Sequence, residues 1–254
     1  MDDTGLLSNL YVNNVCLGKN IPSDNYLKHL PVVKNLKKIG GIRFRQNVTF
    51  LVGENGVGKS TLIEGIAVAM GFNPEGGTIN FNFVTRESHS DLHEYLTVSR
   101  GYKKRKDGFF LRAESFYNVA SNIDEMDESA SFEPPIINSY GGVSLHKQSH
   151  GESFLALVEN RFGGNGLYIL DEPEAALSPM RLMRLMVCMQ ELVKQNSQFI
   201  ISTHSPILMT FPNAEILEIT EKEIRSVSYK DTQHYLVTKR FMDAPEKMIE
   251  NLLG

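Results

Sequence analysis

The sequence predicts an α/β fold built on a mainly parallel sheet, and three observations predict it. Short apolar runs rich in β-branched and aromatic residues alternate along the chain with longer segments of helical periodicity. One such run, NVTFLV at 47–52, leads into a glycine loop, GENGVGKST at 53–61, and then into an apolar helix over 62–70. A second run, LYIL at 167–170, delivers the acids Asp171 and Glu172 at its end. Strands joined through helices lie parallel, with both sheet faces covered.

Taken in order, the first 46 residues hold a strand over 9–16, a proline-broken segment over 21–31 and a basic stretch with Lys34, Lys37, Lys38, Arg43 and Arg45. Gly40 and Gly41 turn the chain into a strand at 42–45. Those charges read as a solvated face, with a ligand patch as the sharper alternative. After the loop and helix, TINFNFVT at 78–85 alternates as a strand does, and a loop follows at 86–91. SRGYKKRKD at 99–107 forms a basic loop, 109–116 a further strand, and 124–128 an acidic helix end or loop. Ser149 or Ser153 can cap an apolar helix over 154–162. A helix over 179–194 carries Leu182, Leu185, Met186, Met189 and Val193 on one stripe. The next strand, 198–202, ends in THSP with His204, and the tail adds short strands at 215–219 and 224–229 and two helical pieces. The tail shows no legible chemistry.

The glycine loop carries the strongest chemical signal. Strand, G-x-x-x-x-G-K-[ST] and helix together make a phosphate cradle, in which Glu54, Asn55, Gly56, Val57, Gly58, Lys59, Ser60 and Thr61 present their amides to a nucleoside triphosphate. Lys59 supplies a point charge for the β/γ oxygens and Ser60 a hydroxyl for Mg²⁺. Asp171 is the second expected metal contact and Glu172 the group that polarises the attacking water. His204, at the end of the next strand, can reach the same sheet edge and bond the γ-phosphate, although a lone histidine is more often structural. Glu172, His204 and Lys59 are the catalytic candidates.

Composition narrows the remaining classes. A net charge of −4 argues against a chain that coats nucleic acid, although a local basic face remains open. Cys16 and Cys188 lack metal-ligand spacing and read as free thiols in a reducing cytoplasm. No signal-peptide pattern opens the chain and no apolar run reaches the ~20 residues of a membrane span, so a soluble, cytoplasmic protein without membrane insertion is expected.

With these motifs in view the chain resembles the ABC-type ATPases. GENGVGKST stands as the Walker A segment, LYILDEP as Walker B and ISTHSP as the switch-histidine segment. The SHGE at 149–152 is similar to the signature of the SMC and DNA-repair branch, with His150 in place of the first glycine. The whole pattern is similar to compact stand-alone bacterial ABC ATPases, whose relatives occur in phage-defence operons and DNA-repair complexes. The resemblance implies an ABC-type P-loop head with an antiparallel β portion and a helical signature lobe. It divides the chain into a nucleotide-binding core, 1–85 and 164–254, and a lid and signature lobe, 86–163. It also implies Mg²⁺-dependent hydrolysis of ATP by a homodimer, in which Ser149, Gly151 and Glu152 of one copy approach ATP bound to the other. A DNA or nuclease partner in repair or defence is the expected context.

Three positions depart from the family. The only glutamine between Walker A and the signature is Gln148, so Glu87 or His89 is expected to replace the lid-loop glutamine. Ser178 stands where transporters mostly carry aspartate, and adenine stacking falls to Phe44 or Tyr26. The alternatives are a transporter's nucleotide-binding subunit, a non-hydrolysing ATP switch and a small-molecule kinase.

Overall fold

The structure, a computed structural model, describes residues 9–78, 90–114, 116–129 and 135–254. Its first elements are β1 (Val12–Leu17), α1 (Pro31–Ile39), β2 (Ile42–Arg43), β3 (Val48–Val52), α2 (Lys59–Ala69), α3 (Leu92–Tyr95), β4 (Leu96–Arg100) and β5 (Asp107–Arg112). They are followed by α4 (Phe116–Ser129), α5 (His150–Arg161), β6 (Gly166–Asp171), α6 (Pro179–Lys194), β7 (Gln198–Ser202), β8 (Glu215–Ile219), β9 (Ile224–Ser226), α7 (Gln233–Asp243) and α8 (Pro245–Leu253).

A six-stranded sheet in the order β5-β6-β7-β3-β8-β9 forms the centre. Its first five strands are parallel and β9 closes the edge antiparallel to β8. The strands β3, β6, β7 and β8 are buried at every residue, which is why their centres are mostly apolar rather than alternating. Alternate side chains feed two cores. Phe50, Phe109, Tyr168, Leu170, Phe199 and Ile201 pack with α4, α5 and α6. Leu51, Phe110, Leu167, Ile169, Ile200 and Leu217 pack with α1 and α2. A small antiparallel sheet, β2-β1-β4, adjoins this second core. The buried Gln198 side chain ties that sheet to the centre, accepting from the Tyr11 and Val12 amides at 2.8 and 2.9 Å and donating to the Val12 carbonyl at 2.9 Å.

Several expectations need correction. The run at 109–116 leaves the sheet after Arg112, because the ladder with β6 ends at the Arg112–Asp171 pair, and Phe116 opens α4. The proline-broken and basic stretch contains α1, whose Val32, Val33 and Leu36 are buried while Lys34, Lys37 and Lys38 face solvent. Within residues 86–163, α3 precedes β4, β4 and β5 pair into the two sheets, and α4 and α5 follow. Of the strand expected at 78–85, residues 79–85 lie outside the described residues. So do Glu87 and His89. Phe44 is 3% exposed within the second core and cannot stack on a base.

One polar knot inside the first core gives a stability test. Asp107 accepts from Arg161 Nη1 at 2.8 Å, from the Gly163 amide at 2.8 Å and from the buried Tyr168 hydroxyl at 2.7 Å. Burial pushes the Asp107 carboxyl up, but these hydrogen bonds and the Arg161 charge outweigh it and hold the carboxyl below its usual range. Its contribution is therefore present at neutral pH and is lost as the pH falls through that lowered value. Tyr168→Phe should destabilise the protein by about 1–2 kcal/mol, read from urea unfolding, because the carboxylate loses a buried donor.

Candidate functional site

The site begins in backbone geometry at the C-terminal end of β3. Gly53 has φ +147°, and a Cβ there would lie 2.1 Å from the Ile219 carbonyl oxygen. Gly58 has φ +95°, with Val32 Cγ1 2.6 Å from where a Cβ would stand. Only glycine fits such a turn so closely packed. Gly58 is also the N-cap of α2, whose first turn has no side-chain cap and no acidic residue. The helix therefore keeps its free amides and positive dipole end for an anion. Residues 53–57 line a cavity of about 470 Å³ with Pro31, Glu218, Thr220, Gln233 and His234.

Lys59 is buried and donates to the carbonyls of Gly53 at 2.8 Å and Glu54 at 3.1 Å. Burial lowers its proton affinity, opposed by the nearby charges of Glu172, Asp171, Glu54 and Glu174. Ser60 Oγ donates to Asp171 Oδ1 at 3.2 Å, and Ser202 Oγ to the same oxygen at 2.8 Å. Burial pushes the Asp171 carboxyl up despite these bonds and the Arg112 charge. Its ionised form thus costs stability at neutral pH, a cost fully present above the raised value and absent below the unfolded one. A cation beside it would relieve that cost. Two hard oxygen donors fit Mg²⁺, which takes one or two protein ligands and completes its shell with water and phosphate. Among the described residues no group of three or more His, Cys, Asp or Glu forms a self-sufficient metal site.

Glu172 follows with φ +50°, a conformation few non-glycine residues adopt, and one often found where function holds strain in place. Its amide donates to the Ser202 carbonyl at 3.0 Å, and Oε1 lies 3.4 Å from His204 Nε2. Glu174 is half-buried and ties the two loops together, accepting from Thr203 Oγ1 at 2.8 Å and from the His204 amide. The structure therefore brings Lys59, Ser60, Asp171, Glu172 and His204 to the ends of the neighbouring strands β3, β6 and β7.

It does not bring the signature residues to the same loop. Ser149 and Glu152 cap α5: the Ser149 hydroxyl and amide both donate to Glu152 Oε2, at 2.5 and 3.0 Å, and Arg181 pairs with Glu152 at 3.1 Å. Gly151 packs so closely that a Cβ would meet Ala176 O at 2.9 Å. Neither it nor Ser149 nor Glu152 lines a cavity at the phosphate loop. Ser178 is the N-cap of α6, and Tyr26 is exposed.

Sequence reasoning missed two residues. Arg112, at the end of β5, pairs with buried Glu64 at 2.5 Å and lies 3.7 Å from Asp171. With Glu114, His150, Ser60, Asp171 and Glu172 it lines a second cavity of about 190 Å³. His234 on α7 meets His204, with His204 Nδ1 and His234 Nε2 2.7 Å apart. A basic residue closing a buried strand was the only sequence signal for Arg112, and His234 had none. In the basic loop, Lys103, Lys104 and Lys106 are exposed, whereas Arg105 is structural, bonded to the Met70 carbonyl at 2.6 Å and lying over the Phe72 ring. A separate cavity of about 870 Å³ is lined by Lys19, Lys28, His29, Lys34 and Lys37 and by no residue of the phosphate loop.

Two family models match the chain over the residues of the site. A family model described as "AAA domain" matches residues 32–149, which include the phosphate loop. A second, "AAA domain, putative AbiEii toxin, Type IV TA system", matches residues 153–210, which include Asp171, Glu172 and His204. The "Retron Vc95 probable ATPase" of Vibrio cholerae serotype O1 biovar El Tor is 27% identical over 151 residues, which are 50% of this chain and 29% of that protein. Among solved structures, an ATP-binding cassette of an ABC transporter aligns over 96% of this chain and 100% of its own at 15% identity and a TM-score of 0.49. The SMC head domain from Thermotoga maritima aligns over 86% and 99% at 18% identity and a TM-score of 0.44. No helix among the described residues is long and apolar enough to cross a membrane. Two AAA models thus fall in order on the phosphate loop and on the acids and histidine facing it, so the chain is similar to AAA-type ATPase domains over both halves of the site, which supports an ATPase.

Proposed function

We propose that the chain hydrolyses ATP in a Mg²⁺-dependent reaction and that two copies close head to tail around two ATP molecules. The observation that carries the reading is the convergence of Lys59, Ser60, Asp171, Glu172 and His204 at three adjacent strand ends. Lys59 exchanges its loop carbonyls for the β- and γ-phosphate oxygens. The amides of residues 55–61 cradle the phosphates at the start of α2. Ser60 and Asp171 hold Mg²⁺, which neutralises phosphate charge. Glu172 accepts the proton of the attacking water, and His204 donates from Nε2 to a γ-phosphate oxygen. The products are ADP and phosphate.

The second copy supplies what one chain lacks at its own loop. Ser149 is exposed at the start of α5 and lines neither the cavity of residues 53–57 nor the one beside Ser60 and Asp171, whereas His150 lines the latter. A head-to-tail pair would present that helix end to the partner's γ-phosphate. The retron ATPase relative and the toxin–antitoxin family model favour a defence context, and a DNA or nuclease partner is part of the same proposal. Lys103, Lys104 and Lys106 are the exposed cations best placed for DNA.

A phosphate-release assay tests the chemistry. Chelating Mg²⁺ with EDTA should abolish release, and Asp171→Asn should lower it at least about tenfold. The apo variant should be no less stable than wild type at neutral pH, because an ionised carboxylate disfavoured by burial has been removed. Undiminished release in EDTA would overturn the Mg²⁺ assignment.

A further inference from the structure

Beyond the strand-end constellation, helix α7 sends one side chain into the site. His234 lines the cavity formed by residues 53–57 and meets His204 at 2.7 Å, with the two rings edge to face at 66°. We propose that His234 is a positioning residue for the reaction: it donates from Nε2 to His204 Nδ1 and so keeps the His204 proton on Nε2, where the γ-phosphate arrives. The inference rests on the reading of His204 as the γ-phosphate donor.

Proton placement follows from the surrounding charges. Two neutral imidazoles in contact share one N–H between them, so either His234 donates and His204 is protonated on Nε2, or the reverse holds. His204 Nε2 is buried, has no hydrogen-bond partner among the described residues, and lies 3.4 Å from the Glu172 carboxylate. A proton on Nε2 faces that carboxylate favourably. A lone pair there would face another negative centre. The arrangement with His234 as donor is therefore the stable one, and it leaves His234 Nδ1 bare, an atom that also has no partner among the described residues. Burial, His204 and Lys59 hold the proton affinity of His234 below the usual histidine range, with Glu54 and Glu218 opposing them, so the ring stays neutral and can play this part.

The backbone fixes His234 in place. Thr232 is fully buried, caps α7 by accepting from the Tyr235 amide at 3.3 Å, and donates to the Tyr229 carbonyl at 2.7 Å. The Tyr229 and Tyr235 rings pack edge to face across that cap. His234 is thus set by the first turn of a capped helix.

The test compares three variants in steady-state ATP hydrolysis with the full chain. His234→Ala and His234→Phe should lower kcat about tenfold or more while leaving KM for ATP within about twofold, because the donor acts on the facing histidine and the phosphate cradle is untouched. His234→Gln offers an amide N–H in nearly the same place and should recover most of the loss. Phe and Gln are both near-isosteric with histidine, so their difference isolates the donated hydrogen bond from packing. In a His204→Ala background, His234→Ala should add nothing further. Equal rates for the Phe and Gln variants, or an additive loss in the double variant, would overturn the proposal. Full activity of His204→Ala alone would instead overturn the reading of His204, a different result.

Discussion

Replacing Lys59 with alanine is expected to weaken ATP binding at least about 30-fold and to reduce phosphate release to background. A charge pair at ~4 Å and an effective dielectric of ~20 is worth about 4 kcal/mol before desolvation. Lys59 is already buried in the apo protein, with burial the main influence on its proton affinity. Much of the desolvation is therefore complete before ATP arrives, and a large part of the attraction survives. The substitution also separates binding from folding. Loss of bonds to two loop carbonyls that water can satisfy should leave apo stability close to wild type. ATP should raise the Tm of the wild type, since a ligand that binds only the folded state stabilises it, and should barely move that of Lys59→Ala. Calorimetric titration and thermal melts read both effects. Wild-type affinity in Lys59→Ala would remove the loop from the site.

Glu172→Gln should retain ATP affinity within about threefold and lose at least about 100-fold in kcat, the range expected when a general base is removed. The glutamine keeps the size of the side chain and can keep the left-handed backbone at φ +50°, since the Glu172 amide bond to the Ser202 carbonyl is unaffected. What disappears is the acceptor for the water proton. Single-turnover hydrolysis measures the loss directly. A variant that still turns over near the wild-type rate would assign the base elsewhere.

Much of this architecture was legible in the sequence, for physical reasons that also mark where it was not. Strands buried on both faces leave no ambiguity of register, so 198–202 and 215–219 coincide with β7 and β8. The phosphate loop was legible because its glycines, lysine and serine are set by backbone geometry and charge within nine residues. The signal fails where neighbours in space are distant in sequence. FFLRAESF has continuous strand propensity, and only the length of β6 decides that the ladder ends at Arg112. Basic side chains hid α1, because an amphipathic helix with lysines on its outer face has the composition of a solvated loop. Arg112 lies beside Asp171 through strand order, and His234 reaches His204 through the path of the tail, neither of which local sequence encodes. For Phe44 the residue type was right for stacking and its burial was not.

The pairing of two chains around ATP is tested most directly by the mass of the trapped species. Sedimentation velocity of Glu172→Gln with ATP and Mg²⁺ should show a particle of twice the mass seen with ADP. A single chain at saturating ATP and Mg²⁺ would contradict the account.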